Sequence, residues 1–199
     1  MSQAITIRVD MSDASRAFGA LKGRGPKAMA RALNRSAVTT RTVMMRAVAA
    51  DMGIKVGTAR EAISVMNAVP SRLVAKVEAK GARIPLIKFG AKGPTPSRGR
   101  GSGVRAKLKG GKRRYPDAFI ATMRSGHTGV FQRAGAGSSR KSRGAWSKNL
   151  PIYELHGPSI AHVFGKHSKA GLDAGEAALR KNLQHEFRYA LQQVGAGGS

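Results

Sequence analysis

The stretch KAMARALNRSAVTTRTVMMRAVAADM, residues 27–52, decides the fold, because it is the longest segment of this 199-residue chain with helical periodicity. Its apolar side chains recur three or four residues apart, and its arginines lie off that stripe. Pro26 suits the first turn of a helix, and Gly53 can end one. The pattern predicts a helix over 27–52 with one buried face: Met29, Leu33, Ala37, Met44, Ala47 and Val48.

Short elements are expected on both sides of this helix. Residues 4–9 alternate between apolar and polar and predict a strand. Thr58 and Glu61 have the spacing of a capping box, which predicts a second helix through Met66 that stops at Pro70. Residues 73–79 alternate again and predict a half-buried strand, with Val74 as the exception on its polar face. A further strand is predicted at 84–89, where Pro85 would confine it to an edge or a bulge.

Two basic stretches, 91–114 and 134–148, interrupt the remaining elements. Residues 90–114 contain nine Lys or Arg and no acidic residue. Val104, Ala106 and Leu108 alternate with basic residues, so this part is either a β-hairpin or a loop that orders only in an assembly. The residues that we expect to face DNA or a neighbouring subunit are Lys92, Arg98, Arg100, Arg105, Lys107, Lys109, Lys112, Arg113, Arg114, Arg140, Lys141 and Arg143.

The rest of the chain completes an α+β pattern. Strands are predicted at 119–123 and 129–131, after a turn at Gly126 and His127, and again at 150–155 before a turn at 157–159, where Ser159 could cap the next piece. A C-terminal amphipathic helix is predicted at about 171–194. The expected fold is one domain, residues 1–199, with a small, mostly antiparallel sheet packed with long helices, plus extended basic loops.

The charge balance indicates an anionic environment. The chain has 36 Lys and Arg residues against 10 Asp and Glu residues, a formal net charge of +26. Such a surplus repels itself unless a partner supplies negative charge. Nucleic acid, an acidic protein subunit and plain solvation all remain open at this point. The chain has no cysteine, no signal peptide pattern and no long apolar run, which predicts a soluble protein without disulfides or a membrane partner.

The sequence lacks the equipment of the common enzyme classes. His156, His162 and His167 cluster, but their spacing places no two on one helical face, and no carboxylate joins them in a metal-binding pattern. Ser159 follows a proline and lacks the second glycine of a nucleophile elbow. The few carboxylates are scattered. We therefore expect no enzymatic activity, no cofactor and no metal.

The basic stretch 92–114 supports two interpretations. It has charge but almost no aromatic side chains, only Tyr115 at its edge, whereas single-strand binders interleave aromatics with basic residues. Neutralising a phosphate backbone without reading sequence fits the composition. An extended arm that adds to a neighbouring subunit's sheet fits the alternation. Both could be true of one loop that lines a ring.

Three segments, spanning roughly residues 25–165, resemble the minor tail protein Z family of long-tailed bacteriophages, which includes the lambda-like tail-completion protein. They are Arg-Ala-Leu-Asn-Arg at 31–35, Gly-His-Thr-Gly-Val-Phe at 126–131 and Leu-Pro-Ile-Tyr-Glu-Leu-His-Gly-Pro-Ser at 150–159. The residues that carry this resemblance are Arg31, Asn34, Arg35, Gly126, His127, Gly129, Pro151, Glu154, Leu155, Gly157, Pro158 and Ser159. The basic insertions at 91–114 and 134–148 have no fixed counterpart in the family pattern.

The resemblance implies a structural virion protein that completes the tail and makes it competent to join a DNA-filled head. It implies a homo-oligomeric ring, six-fold by analogy with related neck proteins, at the head–tail junction and around the DNA channel. The expected partners are the tail terminator, tail tube and connector proteins, and the expected place of assembly is the host bacterial cytoplasm. The alternative is a non-specific nucleic-acid-binding protein of the nucleoid-associated kind, which leaves the 150–159 segment unexplained.

Overall fold

The computed structural model describes residues 2–8, 24–81, 83–95, 103–108, 111–133 and 152–195. The chain divides into two compact units. The first draws on Met1–Val48, Ala59–Ala82 and Ile160–Ser199, and the second on Ala49–Thr58 and Arg83–Ser159.

The helices are α1 (Gly25–Met52), α2 (Val56–Ala62), α3 (Ile160–Lys166), α4 (Ser168–Gly195) and a short 3-10 helix (Leu86–Phe89). The strands are β1 (Gln3–Arg8), β2 (Ile63–Met66), β3 (Val74–Ala79), β4 (Arg83–Pro85), β5 (Val104–Leu108), β6 (Gly111–Tyr115), β7 (Ala118–Thr122), β8 (Thr128–Arg133), β9 (Ile152–Glu154) and β10 (His156–Ser159). Helices together with small antiparallel sheets confirm the α+β class. The described strands form four small sheets rather than a single one.

Two long helices frame the first unit, α1 and α4, each of 28 residues. They run antiparallel, because Arg31 contacts Glu186 while Ser36, further along α1, contacts Asn182, further back on α4. The predicted helix over 27–52 is confirmed by α1. Of its predicted stripe, Ala47 is half-buried and the others are buried. The C-terminal helix α4 starts three residues before the predicted boundary at 171.

The polar contact between α1 and α4 centres on one buried carboxylate. The Glu186 side chain is 3% exposed and accepts from Arg31 Nη2 at 2.7 Å and Arg35 Nη1 at 3.0 Å. Arg31 Nε donates a further hydrogen bond to it at 2.8 Å. Both arginines remain about half exposed, so they keep much of their hydration while they compensate the buried charge. Glu186 therefore fixes the register of the two helices.

The sheet of the first unit has the order β1–β3–β2 and is antiparallel. Ala75, Val77 and Ala79 of β3 are fully buried and alternate with half-buried residues. Val77 lies opposite Ile5 on one side and Val65 on the other. The predicted half-buried strand at 73–79 and the strand at 4–9 are both confirmed, with β1 one residue earlier than expected.

The predicted helix from Thr58 through Met66 is wrong in its second half. Helix α2 ends at Ala62, Thr58 lies inside it rather than at its cap, and residues 63–66 form β2. Pairing with β3 buries Ile63 opposite Ala79, and β-branched residues pack well in such a ladder. Arg41 stabilises the point where α2 ends and β2 begins, because its guanidinium donates to the carbonyl oxygens of Ile63 at 2.8 Å and Arg60 at 3.1 Å.

The second unit contains three small antiparallel sheets: β4 with β10, β5 with β6, and β7–β8–β9. Strands β7, β8 and β9 confirm the strands predicted at 119–123, 129–131 and 150–155, although residues 150 and 151 lie outside the described part. The strand predicted at 84–89 is only partly right, because β4 stops at Pro85 and the chain continues as the 3-10 helix. The proline thus falls at the end of a two-stranded sheet, as its missing N–H requires.

The turn predicted at 157–159 is wrong. Residues 156–159 form β10, which pairs with β4 through His156 opposite Pro85 and Ser159 opposite Arg83. The register shifts between those two pairs, and this irregularity accommodates Pro158 inside a strand. Ser159 is followed directly by α3.

We predict that Glu186→Gln lowers the free energy of unfolding by about 1–3 kcal/mol, because it removes the charge that both arginines bind while preserving side-chain volume. Urea denaturation measures this change. The matched control is Glu176→Gln, an exposed position on the same helix, which should shift the midpoint little. Equal effects of the two substitutions would contradict a specific role for Glu186.

Candidate functional site

The β5–β6 hairpin in the second unit gathers most of the described basic residues that the sequence singled out. Its register places Val104 opposite Tyr115, Arg105 opposite Arg114, Ala106 opposite Arg113 and Lys107 opposite Lys112. Directly opposite residues of an antiparallel pair lie on the same face. The hairpin therefore has one face with Val104 and Ala106 and another with only basic side chains. Of the two alternatives left open by the sequence, the described residues 104–108 and 111–115 pair as a β-hairpin.

The apolar face attaches the hairpin to the rest of the unit. Val104 and Ala106 are almost completely buried, and β5 lies against the 3-10 helix and β7. Arg113 is on this face but is exposed, and its guanidinium lies 5.7 Å from the centre of the Tyr115 ring. This cation–π contact holds Arg113 beside the ring and apart from the other basic residues.

The basic face consists of Arg105, Lys107, Lys112 and Arg114, which we call the four-cation face. All four residues are exposed. Two like-charged pairs lie directly opposite each other, Arg105 with Arg114 and Lys107 with Lys112. Like charges directly opposite each other are unfavourable in an isolated strand pair. Residues 104–115 themselves contain no acidic residue.

Lys92 extends the same surface. Its backbone exchanges two hydrogen bonds of 2.8 Å with Arg105, so it lies beside β5 as an isolated bridge, and its side chain is exposed. The structure thus brings Lys92 together with β5 and β6. Six other predicted basic residues lie outside the described part of the chain: Arg98, Arg100, Lys109, Arg140, Lys141 and Arg143.

The Arg-Ala-Leu-Asn-Arg segment of α1 serves internal contacts. Arg31 and Arg35 bind Glu186. Asn34 makes two hydrogen bonds with the backbone of Ala68: its Nδ2 donates to the carbonyl oxygen at 3.0 Å, and its Oδ1 accepts from the N–H at 2.7 Å. The amide side chain thus satisfies both backbone groups of a residue between β2 and β3.

Glu154 connects the second and third family-like segments. Its Oε1 lies 2.9 Å from His127 Nε2, and its Oε2 lies 3.9 Å from His156 Nε2. His156 Nδ1 also lies 3.0 Å from the Glu154 backbone oxygen, and because a carbonyl can only accept, Nδ1 carries the proton. Gly129 makes room for this arrangement, since a Cβ there would come within 2.6 Å of Glu154 Oε1. These residues join the β7–β8 turn to β9.

The other family-like residues lie in turns, strands and close packing contacts of the fold. Gly126 has φ +81° in the turn between β7 and β8, a conformation that favours glycine, which confirms the predicted turn. Leu155 donates its N–H to Val130 and accepts from Leu86, each at 2.8 Å. Gly157 lies against the buried Phe89 ring, where a Cβ would come within 2.5 Å. Pro158 and Ser159 complete β10, and Pro151 lies outside the described residues.

The described residues offer no place for a metal. Within 2–8, 24–81, 83–95, 103–108, 111–133 and 152–195, no group of three or more His, Asp or Glu side chains is arranged to hold an ion. The predicted histidine cluster is spread over β10, α3 and the residue between α3 and α4. None of the described helices is long and apolar enough to cross a membrane.

Comparison with known families shows to which family the chain belongs. The model of the prophage minor tail protein Z family matches residues 11–195. The chain belongs to this family. A search of curated proteins and a search of solved structures each find no match. The match covers most of the 199 residues, including both basic stretches, so this minor tail protein Z family member is a structural protein of the phage tail.

Several residues of this family member were missed by the sequence analysis. Glu186 was one, although it lies on the same face of α4 as the buried Leu179 and Ala190, and a carboxylate among apolar positions signals a buried ion pair. Glu154 and His156 were both part of the 150–159 segment, but their contacts with each other and with His127 were not predicted. Phe89 gave no local signal, because its contact with Gly157 joins distant parts of the sequence.

We predict that Gly157→Ala destabilises this family member by about 1–3 kcal/mol, because the new methyl group overlaps the Phe89 ring in a packed core. Thermal or urea unfolding measures the loss. Combining it with Phe89→Leu should cost less than the sum of the two single changes, because the smaller side chain frees space.

The control is Gly57→Ala in α2, where a Cβ would meet nothing within 4 Å. This substitution should be neutral or slightly stabilising, because alanine favours a helix. If Gly157→Ala is as well tolerated as Gly57→Ala, the close packing at Phe89 does not explain the glycine.

Proposed function

We propose that this minor tail protein Z family member is a tail-completion subunit that forms a ring at the head–tail junction and borders the DNA channel. Family membership supports the tail role. The four-cation face supports the DNA contact, because it presents exposed Lys and Arg side chains together on one face of a strand pair. A channel that DNA passes through supplies the negative charge that such a surface needs.

The contact that we propose is with the phosphate backbone and not with base edges. The four-cation face has neither aromatic side chains for stacking nor Asn or Gln side chains for reading bases. Tyr115 is on the opposite face, beneath Arg113. Lys and Arg bind phosphates of any sequence, which suits a surface past which the whole genome must move.

The role that we propose is structural and non-enzymatic, and needs no cofactor. The family-like residues support this, because their contacts join elements of the fold. Glu154 contacts His127, Gly157 packs on Phe89, and Arg31 binds Glu186. Side chains with such contacts hold elements of the fold together and are not placed to bind a substrate.

The assembly that we propose is a homo-oligomer, a hexamer by analogy with related neck proteins, that meets the tail terminator, tail tube and connector proteins after assembly in the host cytoplasm. The resemblance to lambda-like tail-completion proteins supports this position. A free nucleoid-associated protein would share the affinity for DNA. It would occur outside virions, and that role would not explain why the chain matches a phage tail family.

The isolated protein should bind duplex DNA without sequence preference, and its affinity should fall steeply with salt, because each neutralised phosphate releases a counterion. The triple variant Arg105→Gln, Lys107→Gln, Lys112→Gln should make the negative slope of log K against log salt shallower by roughly 2–3. Fluorescence anisotropy with unrelated duplexes measures both quantities.

The matched control for this measurement is Lys169→Gln, Arg180→Gln, Lys181→Gln, which removes the same three charges from exposed positions on α4. Its slope should change much less. Equal slopes for the two triple variants would show that total charge, and not the hairpin, governs binding. Absence of binding at low salt would remove the DNA contact from the proposal.

A phage that lacks the protein should produce DNA-filled heads and tail tubes but few infectious particles, because the two cannot be joined. Electron microscopy of lysates and plaque counts, with complementation by the wild-type chain as control, measure this outcome. A normal yield of infectious particles would contradict the tail-completion role.

A further inference from the structure

We propose that copies of this chain associate head to tail through the sheet of the first unit, with β2 of one copy adding to β1 of the next. The occupant of each sheet edge is therefore a second copy of the same chain, held mainly by backbone hydrogen bonds. The inference rests on the ring of the proposed function and gives that ring a subunit contact.

The outer edge of β2 carries backbone groups that point away from β3. Within the described residues, the order β1–β3–β2 leaves β1 and β2 with one neighbouring strand each. Lys80 donates its N–H to the Ala62 carbonyl oxygen at 2.9 Å, so Ala62 and every second residue after it bond β3. Ile63 and Val65 therefore point their N–H and C=O groups outward. Arg41 Nε binds the Ile63 carbonyl oxygen at 2.8 Å, which leaves Val65 as the residue that can pair on both sides.

The outer edge of β1 is open in the same way. Val77 of β3 directs its backbone groups toward β1, because the residues on either side of it bond β2, and it lies opposite Ile5. Ala4 and Thr6 therefore direct their N–H and C=O groups outward, and both residues are exposed. A groove of about 390 Å³ lies beside this edge, lined by Ala4, Ile5, Thr6, Ser168, Lys169 and Leu172. An added strand has room there.

Both edges lack charge in a chain that is otherwise strongly basic. Residues 3–7 of β1 and residues 63–69, which include β2, contain no Lys, Arg, Asp or Glu. The outer strand β6 of the second unit, in contrast, has three consecutive basic residues at 112–114, a composition that discourages the addition of another strand. Two copies with a net charge of +26 repel each other, so they meet most readily through uncharged surfaces. The two uncharged edges are such surfaces.

Exposed apolar side chains border the β2 edge. They are Val38 at 57%, Met66 at 42% and Val69 at 44% exposure. Val38 lies on the same side of α1 as Asn34, which binds Ala68, and Arg41, which binds Ile63. It therefore lies close to β2. Covering these side chains with a second copy adds apolar burial to the backbone hydrogen bonds.

Head-to-tail repetition fixes the direction and register of the contact. β1 and β2 are each antiparallel to β3, so a sheet that continues in the same direction pairs them in parallel. In parallel pairing, one residue bonds the two residues that flank its opposite. Val65 thus donates its N–H to the Ala4 carbonyl oxygen of the next copy and accepts from the Thr6 N–H. A contact between two different surfaces closes into a ring when the rotation per copy permits.

Engineered cysteines test this register, because the chain has no cysteine of its own. Ala4→Cys and Ser64→Cys place thiols at exposed positions that lie opposite each other in the proposed contact. Within one copy, both positions lie opposite Glu78 on the two sides of β3, which separates them by roughly 9–10 Å. This distance is too long for a disulfide. A disulfide between them therefore joins two copies.

The full-length single variants are mixed and oxidised mildly, and the double variant is oxidised by itself. The mixture should give disulfide-linked dimers, the double variant should give a ladder of multimers, and each single variant alone should give neither. The control is Ala4→Cys with Glu176→Cys, two exposed positions that do not meet in the proposed contact. Cross-linking should increase with salt, because salt screens the repulsion between copies, whereas DNA binding should weaken.

A backbone variant tests the hydrogen bonds themselves. Thr6→Pro removes an N–H that points away from β3, a position where an edge strand tolerates proline. Self-association measured by sedimentation velocity should weaken roughly two- to tenfold relative to Thr6→Ala, while the urea midpoints of the two variants stay similar. Thr6→Lys puts a charge on the edge and should also weaken association. Gln192→Lys, at an exposed position on α4, adds the same charge as a control and should not.

The outcomes separate this inference from the proposed function. Disulfides within either single variant alone would indicate a two-fold contact and would overturn the head-to-tail pairing. Absence of dimers in the mixture at high salt, or equal self-association of Thr6→Pro and Thr6→Ala, would also overturn it. If the mixture gives no dimers but the Ala4→Cys thiol is shielded from a maleimide in intact tails, a different tail protein occupies the edge. If dimers form but phage without the protein give a normal yield, the contact stands and the tail-completion role falls.

Discussion

The constraint on which this structure depends is its shortage of negative charge. The chain has 36 Lys and Arg residues and only 10 Asp and Glu residues, so most cations cannot have a carboxylate of their own. Glu186 binds Arg31 and Arg35 where α1 meets α4, and Glu154 binds His127 where β9 meets the β7–β8 turn. Glu78 contacts Lys76 on the half-buried face of β3. Glu186 and Glu154 thus act where elements join, Glu78 acts within one strand, and the hairpin of the second unit carries exposed basic residues on one face.

The parts of the fold that the sequence predicted are those with local periodicity. α1 has a 28-residue amphipathic pattern, and β3 alternates without a break from Ala75 to Ala79, so each shows its buried face within its own sequence. β2 and β10 could not be found in this way. β2 exists because Ile63 pairs with Ala79, and β10 exists because His156 pairs with Pro85. Such pairings join distant residues and override a local capping box or a Gly-Pro turn signal.

The candidate site shows the same division. Alternation around Val104 and Ala106 left a β-hairpin and an assembly loop as alternatives, and the structure pairs β5 with β6 and buries both residues. Lys107 lies opposite Lys112 because of the register of the hairpin, and this register could not be predicted from composition. Arg113 was grouped with the other basic residues by sequence, but its contact with Tyr115 places it on the other face. Glu186 and Phe89, which contact the family-like residues Arg31 and Gly157, came only from the structure.

The central claim is that this minor tail protein Z family member surrounds DNA at the head–tail junction with the basic hairpin turned toward it. Electron cryomicroscopy of intact virions tests this claim most directly, because it gives position, symmetry and orientation together. The account predicts a closed ring at the head-proximal end of the tail, with β5 and β6 facing axial DNA density. Density for the chain at the distal tip, or on the outside of the tail with the hairpin facing solvent, would contradict it.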